Sequence, residues 1–347
     1  FLEKFIEDPK HIEVQLLGDQ HGHIVHLYER DCSVQRRFQK VVEVAPSFGL
    51  KQETKQKLYD YALRMGRAVG YDNVGTVEFL VKPEQHEVYF IEVNPRIQVE
   101  HTVTEMITGV DLIKTQLYIA SGYKLSDPEI GLGPDVTPLK VGYAMQCRIT
   151  TEDPAADFKP DYGTVVAYRS AGGFGIRLDQ GSVYQGAVVS PFFDSLLVKV
   201  SAHAPTLTAA AQKMRRALAE FRIRGVKTNI PFLDNIVANP EFRAGHATVD
   251  FIKEHPELFE FRPRQDRGTR LLAYIGDAVV NGNPDVKNHL DPRRQPRKPH
   301  LPHVDASAAP APGTKQKLQE LGPEGFAHWL RNEPLIHYTD TTLRDGE

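Results

Sequence analysis

Cysteine is nearly absent from this chain: Cys32 and Cys147 are the only two among 347 residues. That scarcity excludes a disulfide framework and is neutral toward a reducing compartment, so a buried structural role is expected for both. Long apolar runs are missing as well. No window approaches the roughly eighteen residues a spanning helix needs, and the opening FLEKFIEDP is not a signal peptide. Charge of one sign is not in surplus, since 42 Lys and Arg stand against 45 Asp and Glu for a formal charge of -3. Such a balance calls for neither nucleic acid nor a membrane surface as partner. An initial Met is lacking, and the chain opens in mid-pattern and stops at Asp-Gly-Glu, so it reads as a piece of a longer protein. Its length allows two or three domains around a large core.

What is present centres on residues 75–101, GTVEFLVKPEQHEVYFIEVNPRIQVEH. Two strand-like runs flank the breaker-rich turn KPEQH. A turn centred near Gln85 sets Glu78 opposite Glu92, Thr76 opposite Asn94 and Leu80 opposite Phe90. Val77, Phe79, Val81, Tyr89, Ile91 and Val93 then form the other, core-facing side. Two glutamates directly across a hairpin repel unless a cation lies between them or one takes up a proton. A hard divalent ion on Glu78 and Glu92, with Asn94 as a third oxygen, removes the conflict. A solvated polar face is the alternative, and Leu80 and Phe90 on that face argue against it.

Before this hairpin, HIEVQLLGD and HIVHLYERD alternate as antiparallel strands turned at Asp19 to Gly22. The basic run RDCSVQRRFQKVVEVAP, with Arg30, Arg36, Arg37 and Lys40, reads as a solvated loop unless an anion lies nearby. KQETKQKLYDYALRMGRAVG is an amphipathic helix stopped at Gly70. TVTEMITGVDLIKTQLYIASG is helical, interrupted near Gly109 and stopped at Gly122. From Val141 to about Val200 the pattern predicts a small antiparallel sheet, followed by helices at Thr206 to Phe221 and Asn229 to Ala238. After a helix in RGTRLLAYIGDAVV, a Pro-, Ala- and His-rich stretch cannot bury a core and reads as linker, its histidines part of a solvated tether rather than a metal site. One more helix and a strand, IHYTDTT, close the chain.

Five motifs in order, EKFIEDPKHIEVQ, ERDCSVQRRFQKVVEVAP, GTVEFL, FIEVNPRIQVEHTVTE and CRITTEDP, resemble the biotin carboxylase component of biotin-dependent carboxylases over about residues 1–262. The resemblance implies an α+β chain: a partial ATP-grasp fold over 1–120, the biotin carboxylase C-terminal subdomain over 121–262, a linker or allosteric-type segment over 263–313, and the start of a TIM barrel over 314–347. It implies that Glu78, Glu92 and Asn94 hold Mg2+ or Mn2+ on ATP, with Leu80 against the adenine. Glu3, Lys4 and the backbone at Phe5 and Ile6 match the hinge that reads the adenine edge. His11 and Gln35 match ribose and phosphate contacts. Phe38 stands where a histidine that contacts ATP is usual, and phenylalanine donates no hydrogen bond. Lys40, Arg96, Gln98 and the backbone of Val99 match the bicarbonate site. Glu100 matches the general base that deprotonates bicarbonate, a role expected to need desolvation to raise its pKa. Arg96 and Arg148 match groups that stabilise the enolate-like oxygen of biotin; alone, Arg148 reads equally as a surface strand arginine.

The ending YTDTTLRDGE resembles the first strand of the carboxyltransferase barrel in those family members that carboxylate pyruvate to oxaloacetate, a step that feeds gluconeogenesis. By that resemblance Asp345 is a ligand for Zn2+ or Mn2+ and Arg344 lies near the substrate carboxylate, at the strand end where such barrels keep their chemistry. Glu347 departs from the usual histidine and matches related metal-dependent acyl-condensing lyases better. The family implies a Gly-rich phosphate loop and two lysines before Phe1, and a biotin carrier after Glu347, so the piece alone is expected not to turn over ATP. It further implies a homo-oligomer, a tetramer, in the bacterial cytoplasm or the mitochondrial matrix. An acyl-CoA carboxylase subunit and a non-catalytic interaction module are the alternatives.

Overall fold

Strict alternation in KHIEVQLLG sends Ile12, Val14 and Leu16 to one face and His11, Glu13 and Gln15 to the other, and the segment is strand β1 (Lys10–Gly18). In the computed structural model, which describes residues 4–133, 138–181, 183–192, 194–261, 267–282 and 313–334, β1 is an inner strand of an eight-stranded sheet. The others are β2 (Ile24–Arg36), β3 (Gln39–Ala45), β4 (Asn73–Lys82), β5 (Glu87–Asn94), β6 (Tyr143–Thr150), β7 (Ile176–Gln180) and β8 (Leu196–Ala204). Their order is β7-β8-β6-β3-β2-β1-β4-β5, with every neighbouring pair antiparallel.

Two expectations change here. The strands after Val141 do not form a sheet of their own: β6 pairs with β3, Val42 opposite Cys147 and Glu43 opposite Gln146, and carries β8 and β7 with it. The basic run is not a solvated loop either. It is a hairpin of β2 and β3 turned at Arg37 and Phe38, and Arg30 is fully buried.

One face of the sheet is apolar. Helix α1 (Gln52–Ala68) lays Leu58, Tyr59 and Ala62 on Ile12, Val14 and Phe79. Farther along, α4 (Leu207–Glu220), whose N-cap Thr206 accepts from the Ala209 amide, and α5 (Ile230–Ala238) cover Met145, Cys147 and Val200. The opposite face is polar over its centre. There α2 (His101–Thr108) covers it, Thr102 donating to Gln146 Oε1 at 2.6 Å. Gly109, at φ +73°, ends α2 in the left-handed conformation that favours glycine, and α3 (Leu112–Ala120) restarts the chain.

Both cysteines are reduced and buried, and burial pushes each thiol well above its ordinary pKa. They are expected to resist a thiol reagent in native protein and both to react in denaturant; a DTNB titration that finds either one reactive in the folded chain would contradict this burial.

The chain divides by contacts after Phe261. In the second unit, residues 267–277 form one helix, and residues 314–332 form another that is broken at Gly322 (φ +70°), before Pro323. No helix among the described residues is long and apolar enough to cross a membrane. The proline-rich stretch beyond residue 282, the strand IHYTDTT, and Glu3, Arg344, Asp345 and Glu347 lie outside the described residues.

Candidate active site

The hairpin of β4 and β5 sets Thr76 opposite Asn94 and Glu78 opposite Glu92, as the spacing predicts. The register then slips between Glu78 and Phe79, so Phe90 faces Phe79 and Leu80 faces Tyr89 rather than Phe90. The expected core face is only half realised. Val77, Phe79 and Val81 are buried, but Ile91 and Val93 are exposed and Tyr89 is only partly covered, because β5 is the edge strand.

Protein groups hold Glu78. Lys40 Nζ lies 3.0 Å from its Oε1, Gln98 Nε2 donates at 2.7 Å, and His11 Nε2 lies 2.7 Å from Oε2. The Gln35 amide donates to His11 Nδ1 at 2.5 Å, leaving the proton on Nε2 to face Glu78. Burial opposes ionisation of Glu78, yet the His11 hydrogen bond and the Lys40 charge prevail and hold its pKa at about 2.

Lys40 is the hub. Its Nζ also reaches Glu13 Oε2 at 2.6 Å and Glu100 Oε1 at 2.7 Å, and these carboxylates, against the penalty of burial, raise its pKa. Glu100, the residue before α2, gives its second oxygen to Arg148 Nη2 at 3.0 Å, while Arg148 Nε donates to Glu43 at 2.6 Å. Beside them Arg30 places all five donors: Nε on Glu13, Nη1 on Gln15 (2.6 Å) and Thr104 (2.9 Å), Nη2 on Thr76 and Gln98 (each 3.2 Å).

The structure therefore brings together Glu78, Asn94, Gln98, Glu100, Lys40, Arg148, His11 and Gln35. Arg148 is not a surface arginine. Arg96 stays apart, and among the described residues its guanidinium bonds only the carbonyl of Ile97, at 3.2 Å. Lys4 Nζ donates to Tyr89 OH at 2.9 Å, Ile6 is buried, and half-buried Leu80 on β4 stands directly opposite His11 on β1. Phe38, at positive φ on the β2–β3 turn, is 96% exposed. One expectation reverses: the pKa of Glu100 is not raised. Burial does push it up, but Lys40, Arg148 and Arg30 together hold it below the ordinary carboxylate range.

Residues 1–128 match the carbamoyl-phosphate synthase L chain, ATP binding domain, and residues 146–254 match the biotin carboxylase C-terminal domain. Over its whole length the chain is 54% identical to pyruvate carboxylase of Staphylococcus aureus and 53% identical to the mitochondrial pyruvate carboxylase of Homo sapiens. The chain belongs to the pyruvate carboxylase family. It spans 30% and 29% of those two relatives. The complete multifunctional pyruvate carboxylase from Rhizobium etli superposes with a TM-score of 0.76 at 50% identity, over 99% of this chain and 32% of that one. The biotin carboxylase domain of Hydrogenobacter thermophilus 2-oxoglutarate carboxylase, in complex with MgADP, ADP and bicarbonate, superposes with a TM-score of 0.70 at 45% identity, over 75% of this chain and 56% of that one.

In this member of the pyruvate carboxylase family the β3–β6 pair joins the two matched regions into one sheet. Its hairpin fits a divalent ion. Asn94 Nδ2 lies 3.1 Å from Glu78 Oε1 and 2.9 Å from Glu92 Oε1, so both carboxylates converge on one point. Turning that amide over presents a third hard oxygen there. Glu13, Gln15 and Glu43 escaped the sequence reading. The first two had a signal, since His11, Glu13 and Gln15 alternate with three aliphatic residues in a strand now seen to be buried on both faces.

Proposed function

We propose that this chain is the biotin carboxylase part of a pyruvate carboxylase, in which ATP and bicarbonate carboxylate biotin on a carrier domain and the carboxyl group then passes to pyruvate to give oxaloacetate. One observation carries the reading: a single ammonium, Lys40 Nζ, links the hairpin carboxylate Glu78 to Glu100, which Arg148 grips from its other side. A nucleotide site and an anion site thus share one cation. In the same reading residues 1–120 are ATP-grasp, 121–262 the C-terminal subdomain, 263–313 linker, and 314–347 the start of the carboxyltransferase barrel with Arg344 at the substrate and Asp345 on its metal.

Glu78, Glu92 and Asn94 would hold Mg2+, which when bound neutralises charge on the ATP phosphates. Lys4 and Ile6 face the adenine edge and Leu80 its ring, while His11, Gln35 and the Phe38 turn border the ribose and phosphates. Lys40, Gln98 and the Val99 backbone take the bicarbonate, and Arg96, which bonds only the Ile97 carbonyl among the described residues, swings in to join them. An arriving anion competes for Lys40 and so loosens the cation that keeps Glu100 a weak base; Glu100 then accepts the bicarbonate proton. The freed oxygen attacks the γ-phosphorus as its bond to the β-phosphate oxygen breaks, so ADP leaves and carboxyphosphate forms; this decays to CO2 and phosphate, the phosphate takes the ureido proton of biotin, and the ureido nitrogen adds to the CO2. Arg96 and Arg148 face that ureido group.

In the full-length protein, Glu92→Gln is expected to cut bicarbonate-dependent ATP cleavage by about a hundred-fold or more, since a metal's charge stabilisation is worth several kcal/mol. Unchanged cleavage would sink the assignment of Glu92 and, with it, the nucleotide reading of the hairpin.

A further inference from the structure

Lys199 is a half-buried cation spent on a single carbonyl. It stands on β8 directly opposite Arg148 on β6 and opposite Asp179 on β7. Like charges face to face across a ladder destabilise it, and Asp179 is already held by Arg177 at 2.9 Å. Among the described residues Lys199 forms no ion pair, and Nζ donates instead to the carbonyl oxygen of Val99 at 3.1 Å. Burial lowers its pKa, and Arg177 and Arg148 add to that, with Asp179 and Glu43 opposing. A well-packed apolar side chain would avoid these costs. A residue that breaks a local rule without a compensating gain in stability points to function.

What it holds is the segment that joins the hairpin to α2. Two consecutive carbonyls are fixed there: Gln98 O accepts from His101 N at 3.2 Å and lies 2.7 Å from His101 Nδ1, and Val99 O accepts from Lys199. In a planar trans peptide the N–H points opposite to the C=O. Turning the Gln98 carbonyl toward His101 therefore turns the Val99 N–H the other way, and fixing the Val99 carbonyl sets the plane that leads into Glu100.

We propose that Lys199 is a positioning residue for the bicarbonate step, holding the Val99–Glu100 peptide so that the Val99 N–H and the Glu100 carboxylate address the same small anion. This rests on the functional reading above. The test uses the full-length holoenzyme and three variants: Lys199→Met and Lys199→Gln, which remove the charge, and Lys199→Arg, which keeps a cationic donor. The methionine variant is expected to melt at or above the wild-type temperature while its KM for bicarbonate rises about ten-fold, the worth of one hydrogen bond from a charged donor. Its KM for ATP should move less than two-fold, and Lys199→Arg should recover most of the bicarbonate KM. An unchanged bicarbonate KM in Lys199→Met overturns the proposal, as does failure of both the Met and Gln variants to fold, which makes Lys199 structural. Wild-type enzyme without bicarbonate-dependent ATP cleavage would instead overturn the functional reading, so the two failures are distinguishable.

Discussion

Lys40→Met in the full-length protein will abolish bicarbonate-dependent ATP cleavage and also lower the stability of this region by about 3–5 kcal/mol, the cost of leaving buried charge unpaired. The reason is the charge inventory under α2. Arg30, Lys40 and Arg148 stand among Glu13, Glu43, Glu78 and Glu100, three cations among four carboxylates, all side chains a fifth exposed or less. Lys40 alone touches three of those carboxylates. Without it, Arg30 still holds Glu13 and Arg148 still holds Glu43 and Glu100, but Glu78 keeps only hydrogen bonds from His11, Gln98 and Asn94.

The pH dependence follows with a definite sign. Glu78 titrates at about 2 in the folded chain against an ordinary 4.5, so its contribution to stability is present above 4.5 and is lost as pH falls through 2. In the variant the folded pKa moves back up, and the folded state binds protons over the range where the unfolded state does. The gap between wild type and variant is therefore widest near neutral pH and narrows as pH drops below about 4.5. Calorimetric melting of both proteins across that range checks it; a gap that widens toward acid would show that Lys40 does not hold these carboxylates ionised.

Local chemistry was readable in the sequence, and non-local chemistry was not. The facing of Glu78 with Glu92 and of Thr76 with Asn94 follows from turn position alone, and Gly109 and Thr206 sit where helix rules put them. The pairing of Leu80 failed because one extra residue of β5, Ile91, bulges opposite Glu78–Phe79, a slip that leaves no compositional mark. Arg30 reads as solvated until the sheet supplies Glu13, Gln15, Thr76 and Thr104 from three other elements. The pairing of β3 with β6 joins residues about a hundred positions apart, and nothing in either strand names its partner. Glu100 is the instructive case. Burial was the legible effect and pushes its pKa up; the cations that reverse the direction come from β2, β3 and β6 and are visible only in the assembled sheet.

The same inventory makes Glu100→Gln the opposite experiment. Removing this carboxylate leaves Glu13, Glu43 and Glu78 for Arg30, Lys40 and Arg148, so every cation keeps an anion. The glutamine oxygen can still accept from either neighbour, and melting is expected within a few degrees of wild type. Activity is expected to fall by about 10²–10⁴-fold, the usual span for a lost general base, with the KM for ATP little changed because Glu100 makes no contact with Glu92 or Asn94. Because Glu100 is held below the ordinary carboxylate range, it stays ionised throughout the neutral region. The wild-type profile of bicarbonate-dependent ATP cleavage should therefore carry no limb from Glu100 between about pH 6 and 8. A variant that melts far below wild type, or that keeps wild-type cleavage, would mean that Glu100 serves the charge lattice rather than the proton transfer. The pair of variants separates the two roles: removing Lys40 costs fold and chemistry together, whereas removing Glu100 leaves a balanced lattice with no base.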